Sequence, residues 1–328
     1  MPTLVRSDRE AAPSGRDDTR PSSRRAWWRW GRHALTLGFL ALVTFLLAQQ
    51  WEKVEWERVL QSIRSYSPQM LLAAGGLTVA SHLLFGAFDQ LGKRYVGHKL
   101  GVARVAMIAG VCYAFTLNLG ALIGGVGFRY RLYSREGLSA PDISKIYALS
   151  VVTNWLGYLI LLGVVLVWGG LQPPRQWGIP AGMLPVAGVA AWAVAAAYLA
   201  MCAVRGRRSF EVRKVEVTVP GRRLALAQVV MSVANWMIMG GILYVLLGGE
   251  VDYWRVLAVL LVSAVAGALT HVPAGLGVLE TVFLALLSAQ VPAHQLLGAL
   301  LAYRAVYYLG PLVLAVCLYA GLEARARR

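Results

Sequence analysis

The sequence predicts an all-α polytopic membrane protein, an inverted-topology repeat of six spans plus two re-entrant helical hairpins. Three observations carry that expectation. The chain of 328 residues is 58% hydrophobic with positive mean hydropathy, a balance soluble domains rarely reach. Its Lys and Arg residues concentrate in particular loops between apolar segments. A glycine-broken motif occurs twice inside apolar segments, at a fixed offset.

Residues 1–32 are rich in Arg, Ser, Asp and Pro, lack apolar periodicity, and read as a disordered cytoplasmic tail. Ser23-Arg24-Arg25-Ala26-Trp27-Trp28 has a faint twin-arginine look. A basic, aromatic flank to the first span fits better, because no small-residue cleavage site follows. Eight apolar segments come next, at 33–50, 69–88, 105–128, 146–168, 181–204, 222–248, 254–290 and 296–320. Most reach the ~20 residues that a helix needs to cross hydrocarbon. Between the first two, Trp51, Val54, Val59, Leu60 and Ile63 fall at roughly helical spacing and predict a short interfacial helix over 51–64. Trp51, Trp56, Trp168, Trp177, Tyr253 and Trp254 flank spans as an aromatic belt. The membrane domain is 33–320, with repeat halves of about 33–170 and 181–320 and a basic cytoplasmic end at 321–328. Cys112, Cys202 and Cys317 all lie in apolar segments and read as small buried residues, without disulfide or metal spacing.

The net charge of +16 does not point to nucleic acid, because the cations sit in inter-span loops, as membrane orientation requires. If all eight segments crossed with the tail inside, the seven-cation loop 205–223 and the four-cation loop 129–145 would both lie outside. If the third and seventh segments instead enter and return on one side, the inside holds 26 Lys and Arg and the outside 5. The second topology obeys the positive-inside rule. It places both termini in the cytoplasm, and the two segments it turns back are those that carry the repeated motif.

That motif is Ile123-Gly124-Gly125-Val126-Gly127-Phe128, 150 positions before Pro273-Ala274-Gly275-Leu276-Gly277-Val278. Broken backbone in hydrocarbon is costly unless protein or a wet cavity surrounds it. The motif therefore predicts hairpin turns at Gly125 and Gly127, and at Pro273, Gly275 and Gly277. Residues 254–271 and 276–290 give legs of about 27 and 22 Å at ~1.5 Å per residue. A pair of fully spanning helices in the seventh segment is the alternative.

The deepest ionisable residues are Arg129, Arg131, Glu280 and Arg304. The hairpin reading puts Arg129 and Arg131, with Tyr130 between them, just past the first tip, and Glu280 at matching depth in the second. They suit an anion site: guanidinium forks grip phosphate in pairs of hydrogen bonds, and half-helix N-termini add positive potential. The plainer alternatives are a snorkelling flank for the two arginines and a structural ion pair for Glu280 with Arg304. Asn118 and His271, near the turns, either line the site or cap broken helices. Asp89 reads as solvated at the inner end of its segment, and Asn235 as an interhelical hydrogen bond. No zinc-hydrolase, nucleophile-elbow or nucleotide-loop motif is present, so neither an enzyme nor a cofactor is expected.

Asn118-Leu119-Gly120, then Gly125-Val126-Gly127-Phe128-Arg129-Tyr130-Arg131-Leu132-Tyr133, then Gly137, resembles the signature of the transmembrane, flippase-type domain of lysyl-phosphatidylglycerol synthases (multiple peptide resistance factor). Pro273-Ala274-Gly275-Leu276-Gly277-Val278-Leu279-Glu280 is similar to that family's second signature, with Ala274 where glycine is usual. The resemblance implies translocation of anionic or aminoacylated phospholipid in a bacterial inner membrane, with Arg129, Arg131 and Glu280 at the lipid path. The family's synthases add an aminoacyl-transferase domain. This chain stops eight residues after Ala320, so synthase activity is expected to be missing. The expected partner is membrane phospholipid. The alternative is a membrane scaffold for a separate lipid synthase. The oligomeric state is left open.

Overall fold

The computed structural model describes residues 57, 60, 61, 64–168, 178, 180, 182–205, 209–212, 215–270 and 275–326. The tail, the segment 33–50, most of 51–64, His271 and Pro273 lie outside the described residues. The described elements are α1 (Pro68–Val96), α2 (Val102–Gly120), a π-helical stretch Ala121–Gly127, α3 (Phe128–Arg135), α4 (Ala140–Trp168) and α5 (Met183–Arg205). Strands β1 (Ser209–Val212) and β2 (Val215–Thr218) form a small antiparallel hairpin. After them come α6 (Arg222–Leu246), α7 (Tyr253–Thr270), α8 (Val278–Leu287), α9 (Ala293–Tyr303), a second π-helical stretch Arg304–Leu309, and α10 (Gly310–Ala326).

The described elements are thus helical apart from one short strand pair in the α5–α6 loop. Among the described residues, six helical stretches are long and apolar enough to cross a membrane: Pro68–Val96, Val102–Arg135, Ala140–Trp168, Met183–Val204, Arg222–Leu246 and Ala293–Gly321. Val102–Arg135 is not one rod. Gly120 has φ +81, a conformation only glycine adopts cheaply, and the chain reverses there. Phe115 stacks on Phe128 with centroids 4.0 Å apart. At the open end of the hairpin, Arg104 Nε donates to Glu136 at 2.8 Å. A Cβ on Gly124 would overlap the Phe115 carbonyl, so the two legs touch backbone to backbone. The predicted turn at Gly125 and Gly127 is therefore corrected. The turn is at Gly120, and Gly127 is helical with φ −59. The motif glycines lie in the return leg, where a missing side chain lets it press on α2.

The second hairpin, α7–α8, turns where expected: Gly275 and Gly277 have φ +56 and +78. The two hairpins open at opposite ends of the bundle. The first opens where α1 ends and α6 begins, an end closed by Gln90 Nε2 donating to Val102 O at 2.8 Å and Arg222 Nε donating to Ala203 O at 3.1 Å. The second opens where α6 ends, beside Tyr66, Leu247 and His294, which share a pocket.

Local sequence explains the ends. Ser67 caps α1 by accepting from Met70 N at 3.3 Å, Pro68 occupies its first turn, and Gly97 ends it in the left-handed region. Ser139 Oγ accepts from Asp142 N at the start of α4. Between helices, small residues and hydrogen bonds replace the missing hydrophobic drive. A Cβ on Gly157 would strike the Ser232 backbone, and Gly163 makes room for the Trp192 ring. Tyr158 Oη donates to Leu261 O at 2.8 Å and Trp236 Nε1 to Asn154 O at 3.1 Å. Asn235 makes the expected interhelical bond, accepting from Ser81 Oγ at 2.8 Å. Cys112 and Cys202 are buried, but Cys317 faces outward.

Candidate anion site at the hairpin tips

Besides Arg104–Glu136 at the open end of the first hairpin, each hairpin shares one arginine–carboxylate pair with a neighbouring helix, and in each of these the arginine also binds a carbonyl of the repeated motif. In the first, Arg129 of α3 reaches across to Asp89 of α1. Its Nε donates to Oδ2 at 3.2 Å and one terminal nitrogen to Oδ1 at 3.1 Å; the other donates to Gly125 O at 3.2 Å. Tyr133 Oη adds a bond to Asp89 Oδ2 at 3.0 Å. The Tyr147 ring lies 5.4 Å from the guanidinium. The side chains are 2% and 0% exposed. Two ions this deep are tolerable only with such complete pairing.

In the second, Arg304 of the last span binds Glu280 of α8. Its Nε donates to Oε1 at 2.6 Å and a terminal nitrogen to Oε2 at 3.0 Å, and the guanidinium also donates to Gly275 O at 3.1 Å. Glu280 does double duty, because its Oε2 also accepts from Gly277 N at 2.9 Å and so caps α8. The Tyr308 ring lies 5.6 Å from the Arg304 guanidinium. This pair is partly open, at 11% and 19% exposure. Gly125 and Gly275 are 150 positions apart, so corresponding carbonyls of the two halves each accept from an arginine. The charges are exchanged: the first hairpin brings the arginine, the second the carboxylate.

The single cavity expected for Arg129, Arg131, Glu280 and Arg304 is not what forms. Arg129 is sealed with Asp89, Arg304 is held by Glu280, and Arg131 is exposed with its guanidinium 5.8 Å from the Tyr319 ring. Nor are the depths matched. Arg129 lies nine residues beyond the Gly120 turn, whereas Glu280 lies three beyond Gly277. Tyr130 bonds outward, to Ser144 Oγ and to Ala140 O at 3.2 Å. Asn118 bridges elements: its Nδ2 donates to Ala114 O at 2.9 Å and to Tyr308 O at 3.2 Å, joining the first tip to the helix of Arg304.

Asp89, expected in solvent, is fully buried. Its position gave the signal: it lies seven residues inside an end already marked by Lys93, Arg94 and Gly97. A polar knot also went unread. Tyr307 Oη bonds Ser81 Oγ at 2.8 Å and Tyr113 Oη at 2.7 Å, tying α1 and α2 to the second π-helical stretch.

The sequence model of the family described as "Lysylphosphatidylglycerol synthase TM region" matches residues 33–315. The chain belongs to that family. It is 43% identical over 302 residues to the inner membrane protein YbhN of Escherichia coli (strain K12), covering 92% of this chain and 95% of the relative. It is 32% identical over 262 residues to a Synechocystis protein, "Uncharacterized protein slr0712", covering 78% and 80%. In this lysylphosphatidylglycerol synthase TM region, the matched residues contain both hairpins and both arginine–carboxylate pairs.

Proposed function

We propose that the protein is a flippase or transporter in a bacterial inner membrane. It moves anionic or aminoacylated phospholipid of the phosphatidylglycerol type between leaflets, without acting as an enzyme on it. The observation that carries the reading is the partly open Arg304–Glu280 pair at a hairpin tip. A guanidinium fork that holds a carboxylate through two hydrogen bonds presents the geometry that a phosphate takes. The phosphate displaces Glu280, which keeps its cap bond to Gly277 and waits as counter-charge when the site empties. Arg129–Asp89, sealed on all sides, serves as the fixed brace.

The two hairpins are read as re-entrant elements of an inverted repeat, opening the site alternately to each face. The end bearing Lys93, Arg94, Arg104, Lys145, Arg222 and Arg223 is read as cytoplasmic by the positive-inside rule, which puts both termini there. With no nucleotide loop in the sequence, movement follows a lipid gradient or a coupled ion.

The test uses liposomes with fluorescent phosphatidylglycerol and a quencher added outside. Wild type makes the inner pool quenchable. Arg304→Gln removes charge-assisted bonds worth about 1.5–3 kcal/mol, so exchange slows by roughly 10- to 100-fold while the protein stays folded. If wild type and empty liposomes quench alike with zwitterionic, anionic and lysylated lipids, with and without a proton gradient, transport is wrong. A scaffold for a separate lipid-modifying enzyme then takes its place.

A further inference from the structure

We propose a second, stationary site for an anionic phospholipid, at the bundle end where α1 and α5 finish and α6 begins. The phosphate sits in an arginine-lined cleft and one acyl chain in the apolar chamber beside it. The cleft, about 500 Å³, is lined by Arg94 near the end of α1, by Arg222 and Arg223 at the start of α6, and by Tyr95. The chamber, about 520 Å³, is lined by Ala148, Leu149 and Val152 of α4 and Met201 of α5, with Lys145 on its wall. Tyr95, Val219 and Pro220 line both, so the two spaces adjoin. Each volume lies in the range of ligand pockets, about 300–1,000 Å³.

Charge selects the ligand. Four cations and no carboxylate are among the described residues lining the two spaces. Arg104, in contrast, already has its own partner in Glu136. The positive-inside rule explains cations in these loops. It does not explain why three converge on one cleft, nor why an apolar chamber opens off that cleft. Arg222 Nε is anchored on Ala203 O at 3.1 Å, which fixes that wall to the end of α5. The first-turn N–H groups of α6, which has no side-chain cap, add positive potential to the same cleft. A phosphate joined to an acyl chain satisfies both spaces together; a free anion satisfies only the first. The inference does not depend on transport, because Arg304 and Glu280 take no part in it.

The experiment is photolabelling of the full chain in nanodiscs. The probe is phosphatidylglycerol with a diazirine in one acyl chain, and adducts are mapped by mass spectrometry. Adducts are expected within 140–152 and 198–201, about tenfold above those from a phosphatidylcholine probe with the same chains. Arg94→Gln/Arg223→Gln abolishes this preference, whereas Arg94→Lys/Arg223→Lys retains most of it, and Arg304→Gln leaves it unchanged. Val152→Trp, which fills the chamber, lowers labelling by both probes. Equal labelling by the two lipids in wild type overturns the proposal, and that comparison needs no variant to fold. So does displacement of the phosphatidylglycerol label by inorganic phosphate alone, which would make the cleft a simple anion site.

Discussion

The two hairpins use the same ingredients and spend them differently. Both turn on glycine, both pair an arginine with a carboxylate, and both offer a motif carbonyl to that arginine. In the first, the pair is closed at 2% and 0% exposure, well down the return leg. In the second it sits at the tip, open to 11% and 19%, with its carboxylate shared between the arginine and a helix cap. On the proposed function, one hairpin is built to stay and the other to exchange partners. Depth and completeness of pairing, not the presence of a charge, separate brace from site.

Breaking the pairs one partner at a time gives the largest contrast. Asp89→Asn strands Arg129 in the core, and a lone buried charge costs about 3–5 kcal/mol. The expected result is a steep fall in thermal unfolding midpoint in detergent, largely recovered in Asp89→Asn/Arg129→Gln. Arg304→Gln should cost less than half as much, because Glu280 can take water and keeps Gly277 N–H. Equal losses from Asp89→Asn and Arg304→Gln would make the tip pair structural too.

The glycines sharpen the same contrast at smaller scale. Gly124→Ala puts a methyl into the Phe115 carbonyl and forces the legs apart, an overpacking cost of about 1–3 kcal/mol or more. Gly277→Ala has open space around it but keeps φ +78, a left-handed strain of about 1–2 kcal/mol. Gly124→Ala should therefore also weaken the Phe115–Phe128 stack, read as faster cleavage between α2 and α3 by added protease. Gly277→Ala should leave that region protected. If Gly277→Ala exposes the first hairpin, the two do not fold as separate units.

Much of this was legible. Cation counts in loops singled out the two segments that fold as helical hairpins, because loop charge is displayed directly in the sequence. The repeat located Gly275 and Gly277 because a left-handed turn demands glycine. The first turn was misplaced for a physical reason: glycine serves two purposes, positive φ and close approach. Gly120 does the first and Gly124 the second, and spacing alone does not tell them apart. The pairing of Glu280 with Arg304 was among the sequence alternatives, but the partner of Arg129 was hidden because Asp89 lies 40 positions away, a separation that only packing closes.

Arg131 gives the smallest effect and the finest test. It was grouped with Arg129 on the lipid path, yet they are two positions apart on α3, and residues so spaced do not share a helix face. Burial of Arg129 in the bundle therefore sends Arg131 outward, where its guanidinium lies 5.8 Å from the Tyr319 ring. An exposed cation–π contact is worth about 0.5–1 kcal/mol. Arg131→Gln should lower stability by that amount and no more, and Tyr319→Leu in the same background should show the coupling in a double-mutant cycle. Lipid exchange should hardly change. If Arg131→Gln slows exchange as much as Arg304→Gln does, headgroups travel along the outside of α3 rather than past the tip of the second hairpin, and the division into brace and site fails.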